Sequence, residues 1–169
     1  MKPPPDALQL GLRLISRRAR TASELDLLLR RKQVPEAERK AVVARLRELG
    51  YMDDREVARA RAQTLISKGN APRLAARKLS RQGVTGEDAR AAVDEAAGGA
   101  GEAELVARAL QKRLRGRAPR DEKERQRIFR ALLAKGHRAS HVAAALKLGE
   151  AALLAEGQGE GDDEGSADD

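Results

Sequence analysis

The chain has 169 residues, 41% hydrophobic and 36% charged, with a net charge of +8, one tyrosine, one phenylalanine, no tryptophan and no cysteine. Lacking cysteine, it has no disulfide framework, no thiol chemistry and no Cys-ligated zinc, and no apolar run approaches the ~20 residues that cross a bilayer. Leu, Ala and Val surrounded by Arg, Lys and Glu, with few β-branched or aromatic residues, predict an all-α protein. The opening stretch, MKPPPDALQLGLRLISRRAR, is interrupted by Arg13 and lacks a secretory h-region with its small-residue cleavage site, so a cytoplasmic protein is expected.

Helix punctuation follows in chain order. Thr21 with Glu24 forms a capping-box pair, and Pro35 suits a first helical position. Gly50 suits the position after a helix, and Asp53 with Glu56 opens the next, which Gly69 ends. Pro72 starts a helix closed by Gly83, and Thr85 with Asp88 opens another. GGAG at 98–101 breaks the chain, and a further helix starts at about Glu102. After the loop RGRAP, Pro119 starts a helix that Gly136 closes, and a last one runs up to Gly149. These marks delimit nine helices.

The nine group as three threes. LRRKQVPEAERKAVVARL from Leu29 aligns with LSRQGVTGEDARAAVDEA from Leu79 at an offset of 50, and that with LLAKGHRASHVAAALKLG from Leu132 at an offset of 53. Leu25, Ala75 and Ile128 then coincide, as do Leu29, Leu79 and Leu132, and Val43, Val93 and Leu146. The expected architecture is three tandem three-helix, helix-turn-helix-like repeats at 6–50, 51–97 and 102–149, stacked into an elongated, curved molecule. An acidic stretch, 150–169, follows. Residues 156–169 hold seven acids and no base, which leaves +15 on residues 1–155. That stretch is expected to be disordered, and a basic body with an acidic tail is a pattern of nucleic-acid-associated proteins.

Tyr51, Met52, Asp53 and Asp54 spell YMDD, a tetrapeptide also found at the metal-binding turn of reverse transcriptases. There it needs a β-hairpin, a further carboxylate and a far larger chain. Here it lies between a helix ended by Gly50 and a second helical run. Asp53 is therefore read as an N-cap, with Glu56 three residues on, Asp54 as a first-turn acid favoured by the helix dipole, and Tyr51 with Met52 as a hydrophobic staple. His137 and His141 have the spacing of a zinc-binding helix, but Arg138 stands where the general-base Glu would be and there is no third His. They read as surface or turn histidines. GGAG lacks the strand and lysine of a phosphate-binding loop. No catalytic residue, metal site or cofactor is expected, and the chain does not read as an enzyme.

The basic residues carry more information. Arg73, Arg77 and Arg81 recur every four residues, which forms one stripe along a helix flanked by Lys78. Arg17, Arg18 and Arg20 cluster in the first repeat, as do Arg30, Arg31 and Lys32, while Lys123, Arg127 and Arg130 line the third. Adjacent like charges cost helix stability, so the middle stripe reads as a binding face. With one Phe and one Tyr there is no platform for stacking bases, so contact with DNA should be phosphate-directed and tolerant of sequence.

The segment ELGYMDDREVARA, followed by ISKGNAPRLAARKLSRQGV, resembles the central signature of the RecX regulatory proteins. ALQLGLRLISRRARTASELDLLL resembles the first repeat of that family, and RALQKRL with FRALLAKGH the third, so the resemblance covers about residues 7–148. Gln33 stands where the family usually has glycine, and His137 where an aromatic residue is usual. The resemblance implies a non-enzymatic, monomeric modulator of the RecA recombinase that binds in the groove of the RecA–single-stranded DNA filament. It implies a block on filament extension or promotion of disassembly. The alternative reading is a helix-turn-helix protein that binds duplex DNA without a filament partner, which should prefer one duplex sequence.

Overall fold

The computed structural model describes residues 5–147, and among them the secondary structure is nine α-helices with no strand. They are α1 (Pro5–Ser16), α2 (Ala22–Arg31), α3 (Glu36–Glu48), α4 (Asp54–Ser67), α5 (Pro72–Arg81), α6 (Gly86–Ala97), α7 (Glu102–Leu114), α8 (Glu122–Leu133) and α9 (Ala139–Leu146). The acidic stretch and Gly149 lie outside the described residues.

One packing scheme recurs three times. The third helix of each group packs on the first (α1 with α3, α4 with α6, α7 with α9) and on the second (α2 with α3, α5 with α6, α8 with α9). The turn between second and third helices recurs too. The N–H of Val34 donates to the Leu29 carbonyl at 3.1 Å, that of Val84 to Leu79 at 3.3 Å, and that of His137 to Leu132 at 3.2 Å. Each is a Schellman cap whose preceding residue must be left-handed. Gly83 and Gly136 meet that demand with φ of 84° and 86°, and Gln33 meets it with φ of 60°.

Each group buries its own apolar cluster. Leu25, Ala75 and Ile128 are buried, as are Leu29, Leu79 and Leu132, at their repeat-equivalent positions. The third helices do not share one register. Val93 and Leu146 are buried, but Val43 is only half-buried and Val42 and Leu46 fill the core instead. The cause is Arg39, which stands where the equivalent Ala89 and Val142 are buried. Its guanidinium donates to Asp26 Oδ1 at 2.8 Å and to the Val34 carbonyl at 3.0 Å, holding that face of α3 outside the apolar cluster. On the buried face, α1 comes so close to α3 that a Cβ at Gly11 would sit 2.7 Å from Val42 Cγ1.

The described residues divide into two compact units, one of 5–67 with 72–99 and one of 68–71 with 100–147. In the first, α2 is clasped to the second group of helices. Thr21, fully buried, caps α2 reciprocally with Glu24 and donates from Oγ1 to the Gln82 carbonyl at 2.6 Å. Arg61 donates to both oxygens of Glu24, at 2.7 and 3.0 Å, and to Gln82 Oε1 at 2.7 Å. Burial alone would raise the Glu24 pKa, but the Arg61 guanidinium and the Thr21 N–H outweigh it and hold the carboxyl below its usual range. In the second unit, the Lys135 carbonyl accepts from the Ala71 N–H at 2.9 Å, and the Lys135 ammonium donates to the Lys68 carbonyl.

Candidate functional site

Helix α5 forms because Pro72 presets its first turn and because Ala75 and Leu79, one turn apart, are buried against α6. The opposite face carries Arg73, Arg77 and Arg81, all exposed. Its ten residues, PRLAARKLSR, include four cations and no acid. Arg73 sits in the first turn, where the helix dipole disfavours positive charge by ~0.3–1 kcal/mol, and each i, i+4 cation pair adds ~0.2–0.5 kcal/mol of repulsion. Folding alone gives no reason to keep that pattern. None of the three arginines forms an ion pair with a described residue, whereas Lys78 is half-buried and has an interaction within the fold.

The arginines of α4 behave differently. Arg55 pairs with Asp88 at 3.0 Å, and Arg59 with Glu95 at 3.1 Å and Glu56 at 3.2 Å. The Thr85 hydroxyl, and then Arg55, hold the Asp88 carboxyl below its usual range. These cations are already neutralised by their own fold.

Helix α8 is intermediate. It starts later than Pro119, because Asp121 caps it by accepting from the Glu124 N–H at 2.7 Å. Glu124 in turn accepts from the Arg120 N–H at 2.7 Å and from Arg117 at 2.6 and 2.9 Å. Arg117 first, with the Arg120 N–H, lowers the Glu124 pKa to about 2. Lys123, Arg127 and Arg130 share an exposed face beside this cap and line a shallow hollow with Arg120, but Arg127 also leans on Glu124 at 3.5 Å.

Both YMDD carboxylates serve the fold. Asp53 Oδ1 accepts from the N–H groups of Arg55 and Glu56 at 2.8 and 3.2 Å. Asp54 accepts from the Ala22 N–H at 2.8 Å and from Arg47 at 2.7 Å, so it ties the start of α4 to the start of α2. Met52 is buried in the first cluster, but Tyr51 is 61% exposed and does not staple the joint. His137 departs from the sequence reading. It is buried, 4% exposed, with Nε2 2.9 Å from the Gly69 carbonyl. Because a carbonyl only accepts, the ring donates from Nε2. Among the described residues no three His, Asp or Glu side chains gather to hold a metal ion, and no helix is long and apolar enough to cross a membrane.

Sequence reasoning missed the Arg61 clasp and the Asp54 tie, since both join residues more than 30 positions apart. The burial of His137 was readable, because it occupies the repeat position of the buried Val84.

Residues 7–46 match the family model of the RecX first three-helix domain. A curated relative, the regulatory protein RecX of Thermobifida fusca (strain YX), is 37% identical over 89 residues, 52% of this chain. The chain spans about half, 48%, of the length of that relative. The fold is similar to the crystal structure of RecX from Lactobacillus salivarius, with a TM-score of 0.60 and 19% identity over 84% of this chain and 93% of that one. It is also similar to a crystal structure of regulatory protein RecX, with a TM-score of 0.59 and 24% identity over 84% of this chain and 70% of that one.

Proposed function

We propose that this chain is a member of the RecX family, a reading supported by the match of its first three helices and by its curated relative, and that it binds the RecA–single-stranded DNA filament and restrains the recombinase. It does so in the cytoplasm without catalysing a reaction, by blocking filament extension or promoting disassembly, and thereby modulates DNA repair and recombination. The observation that carries the reading is the uncompensated cationic face of α5 on a RecX-like fold. Arg73, Arg77 and Arg81, flanked by Lys78, and Lys123, Arg127 and Arg130 on α8 are the proposed contact residues for the filament.

A filament offers DNA phosphates and protein carboxylates in one groove, and arginine binds both through its planar fork. The contact is tolerant of DNA sequence. Phe129 is buried and Tyr51 is the one exposed aromatic among the described residues, so stacked bases have no platform.

The test is RecA ATPase on single-stranded DNA, with this protein added to growing and to preformed filaments over a range of ratios. Inhibition of growing filaments alone indicates a block on extension, and loss of activity from preformed filaments indicates disassembly. Unchanged ATPase at every ratio refutes the proposal.

A further inference from the structure

We infer that the α5 ridge, and not the α8 face, is where this chain holds the phosphate backbone of single-stranded nucleic acid. The inference deepens the reading above, on which it rests for the choice of ligand, and assigns that ligand to one helix.

The three second helices, α2, α5 and α8, are equivalent by repeat, so their outer faces compare position by position. Where α5 has Arg73, Arg77 and Arg81, α2 has Ser23, Leu27 and Arg31, and the third group has Gln126 and Arg130 on α8 and Ala134 just after its end. Leu27 is 46% exposed, so the position of Arg77 is apolar and open to solvent in the first group. At these equivalent positions, a cation at all three is found on α5 alone.

The cations of α8 are of another kind. Lys123, Arg127 and Arg130 share their helix with Glu122 and Glu124, and Asp121 caps it. A phosphate arriving there meets three carboxylates, and Arg127 must give up Glu124 to bind it. On α5 there is no acid to repel a phosphate, and the three arginines have no described partner to leave. Their spacing of four residues is about 6 Å per step along the helix, so the ridge is about 12 Å long. At about 3.4 Å per nucleotide in a stacked strand, it faces three or four consecutive phosphates.

The test uses the full chain without RecA. Fluorescence anisotropy measures binding of labelled oligo-dT and oligo-dA of equal length across a salt series. The variants are R73Q/R77Q/R81Q and, with the same loss of charge, K123Q/R127Q/R130Q, each checked for helicity and melting. The α5 variant should lose at least tenfold in affinity at low salt. Its log–log salt dependence should be shallower by about 2, since each lost contact on a single strand removes about 0.7. The α8 variant should lose less affinity than the α5 variant and change the slope by less, and dT and dA should bind alike. Equal weakening by the two variants would show that net charge alone governs binding, and wild-type affinity in the α5 variant would equally overturn the assignment.

A second measurement does not depend on any variant folding. Arginine-selective modification of the wild-type chain, read by mass spectrometry, should show oligo-dT protecting Arg73, Arg77 and Arg81 more than Arg130. Absence of that protection also overturns the assignment. A chain that passes both tests yet leaves RecA ATPase unchanged keeps the phosphate site and loses the filament role. ATPase inhibition without protection on α5 does the reverse.

Discussion

Gln33 is the residue whose chemistry and conformation disagree most. Its φ of 60° belongs to the same Schellman turn in which Gly83 and Gly136 sit, and a left-handed conformation costs a side-chain-bearing residue ~1–2 kcal/mol. Gln33→Gly should therefore raise unfolding stability by about 1 kcal/mol in denaturant titrations, since glycine gives back part of that gain as chain entropy. Gly83→Ala should act oppositely and more strongly. It adds a Cβ at φ of 84°, and that atom would lie 2.2 Å from Ser23 Cβ, so about 2 kcal/mol of loss is expected. A stabilised Gly83→Ala variant would show that the second turn does not approach α2 as described. Gln33 was legible as an odd residue at a glycine position, but the Ser23 contact was not, because nothing in the local sequence reports a neighbour 60 residues away. Arg61 was likewise silent. Its value lies in neutralising the half-buried Glu24 and filling the hydrogen bonds of Gln82, so Arg61→Ala should cost about 2 kcal/mol. A loss no larger than that of an exposed control such as Arg108→Ala would demote the clasp to a surface pair.

At the level of whole elements, the sequence reading worked where a helix end is set by local chemistry. Thr21 with Glu24, Thr85 before α6 and Pro72 at the start of α5 each stop or start a helix through groups within a few residues, and each was legible. It failed where a stronger cap competes nearby. Pro119 permits a helix to begin, but Asp121 and Glu124 satisfy more free N–H groups, so α8 starts at Glu122. Which face of α3 is buried was not legible in the repeat alignment, because Arg39, half-buried and paired to the partly exposed Asp26, carries no apolar signal for periodicity to detect. The cap of α8 also makes a pH prediction. Glu124 titrates at about 2 when folded, against an ordinary 4.5, so between those values the unfolded chain binds more protons. Its stabilising contribution is complete above about 4.5 and drains away as the pH falls toward 2. The difference in melting temperature between wild type and Glu124→Gln, followed by circular dichroism, should shrink across that window. A difference that stays constant with pH would mean that the Arg117 pairing does not hold the carboxylate.

Over the whole molecule the governing quantity is the field of an uneven charge distribution. The net charge of +8 combines a body of +15 with residues 156–169, which hold seven acids and no base. A polyanion approaching from beyond contact distance responds to the sum, whereas one seated on Arg73, Arg77 and Arg81 responds mainly to those three. Removing residues 156–169 should therefore raise the affinity for bare single-stranded DNA at low ionic strength, chiefly through faster association, because long-range attraction governs encounter more than residence. The gain should fade as salt rises, since charges separated by more than the Debye length, about 10 Å at 0.1 M, no longer act on one another. Replacing the seven acids by Asn and Gln at unchanged length should reproduce the deletion, and a scrambled order of the same residues should behave as wild type. If instead the scrambled chain behaves like the deletion, the order of the acids matters and a simple summed field is wrong. If all four proteins bind alike at low salt, the seven acids do not screen the basic body at all. Stopped-flow anisotropy at two ionic strengths separates these outcomes, because a field effect appears chiefly in the association rate and at low salt.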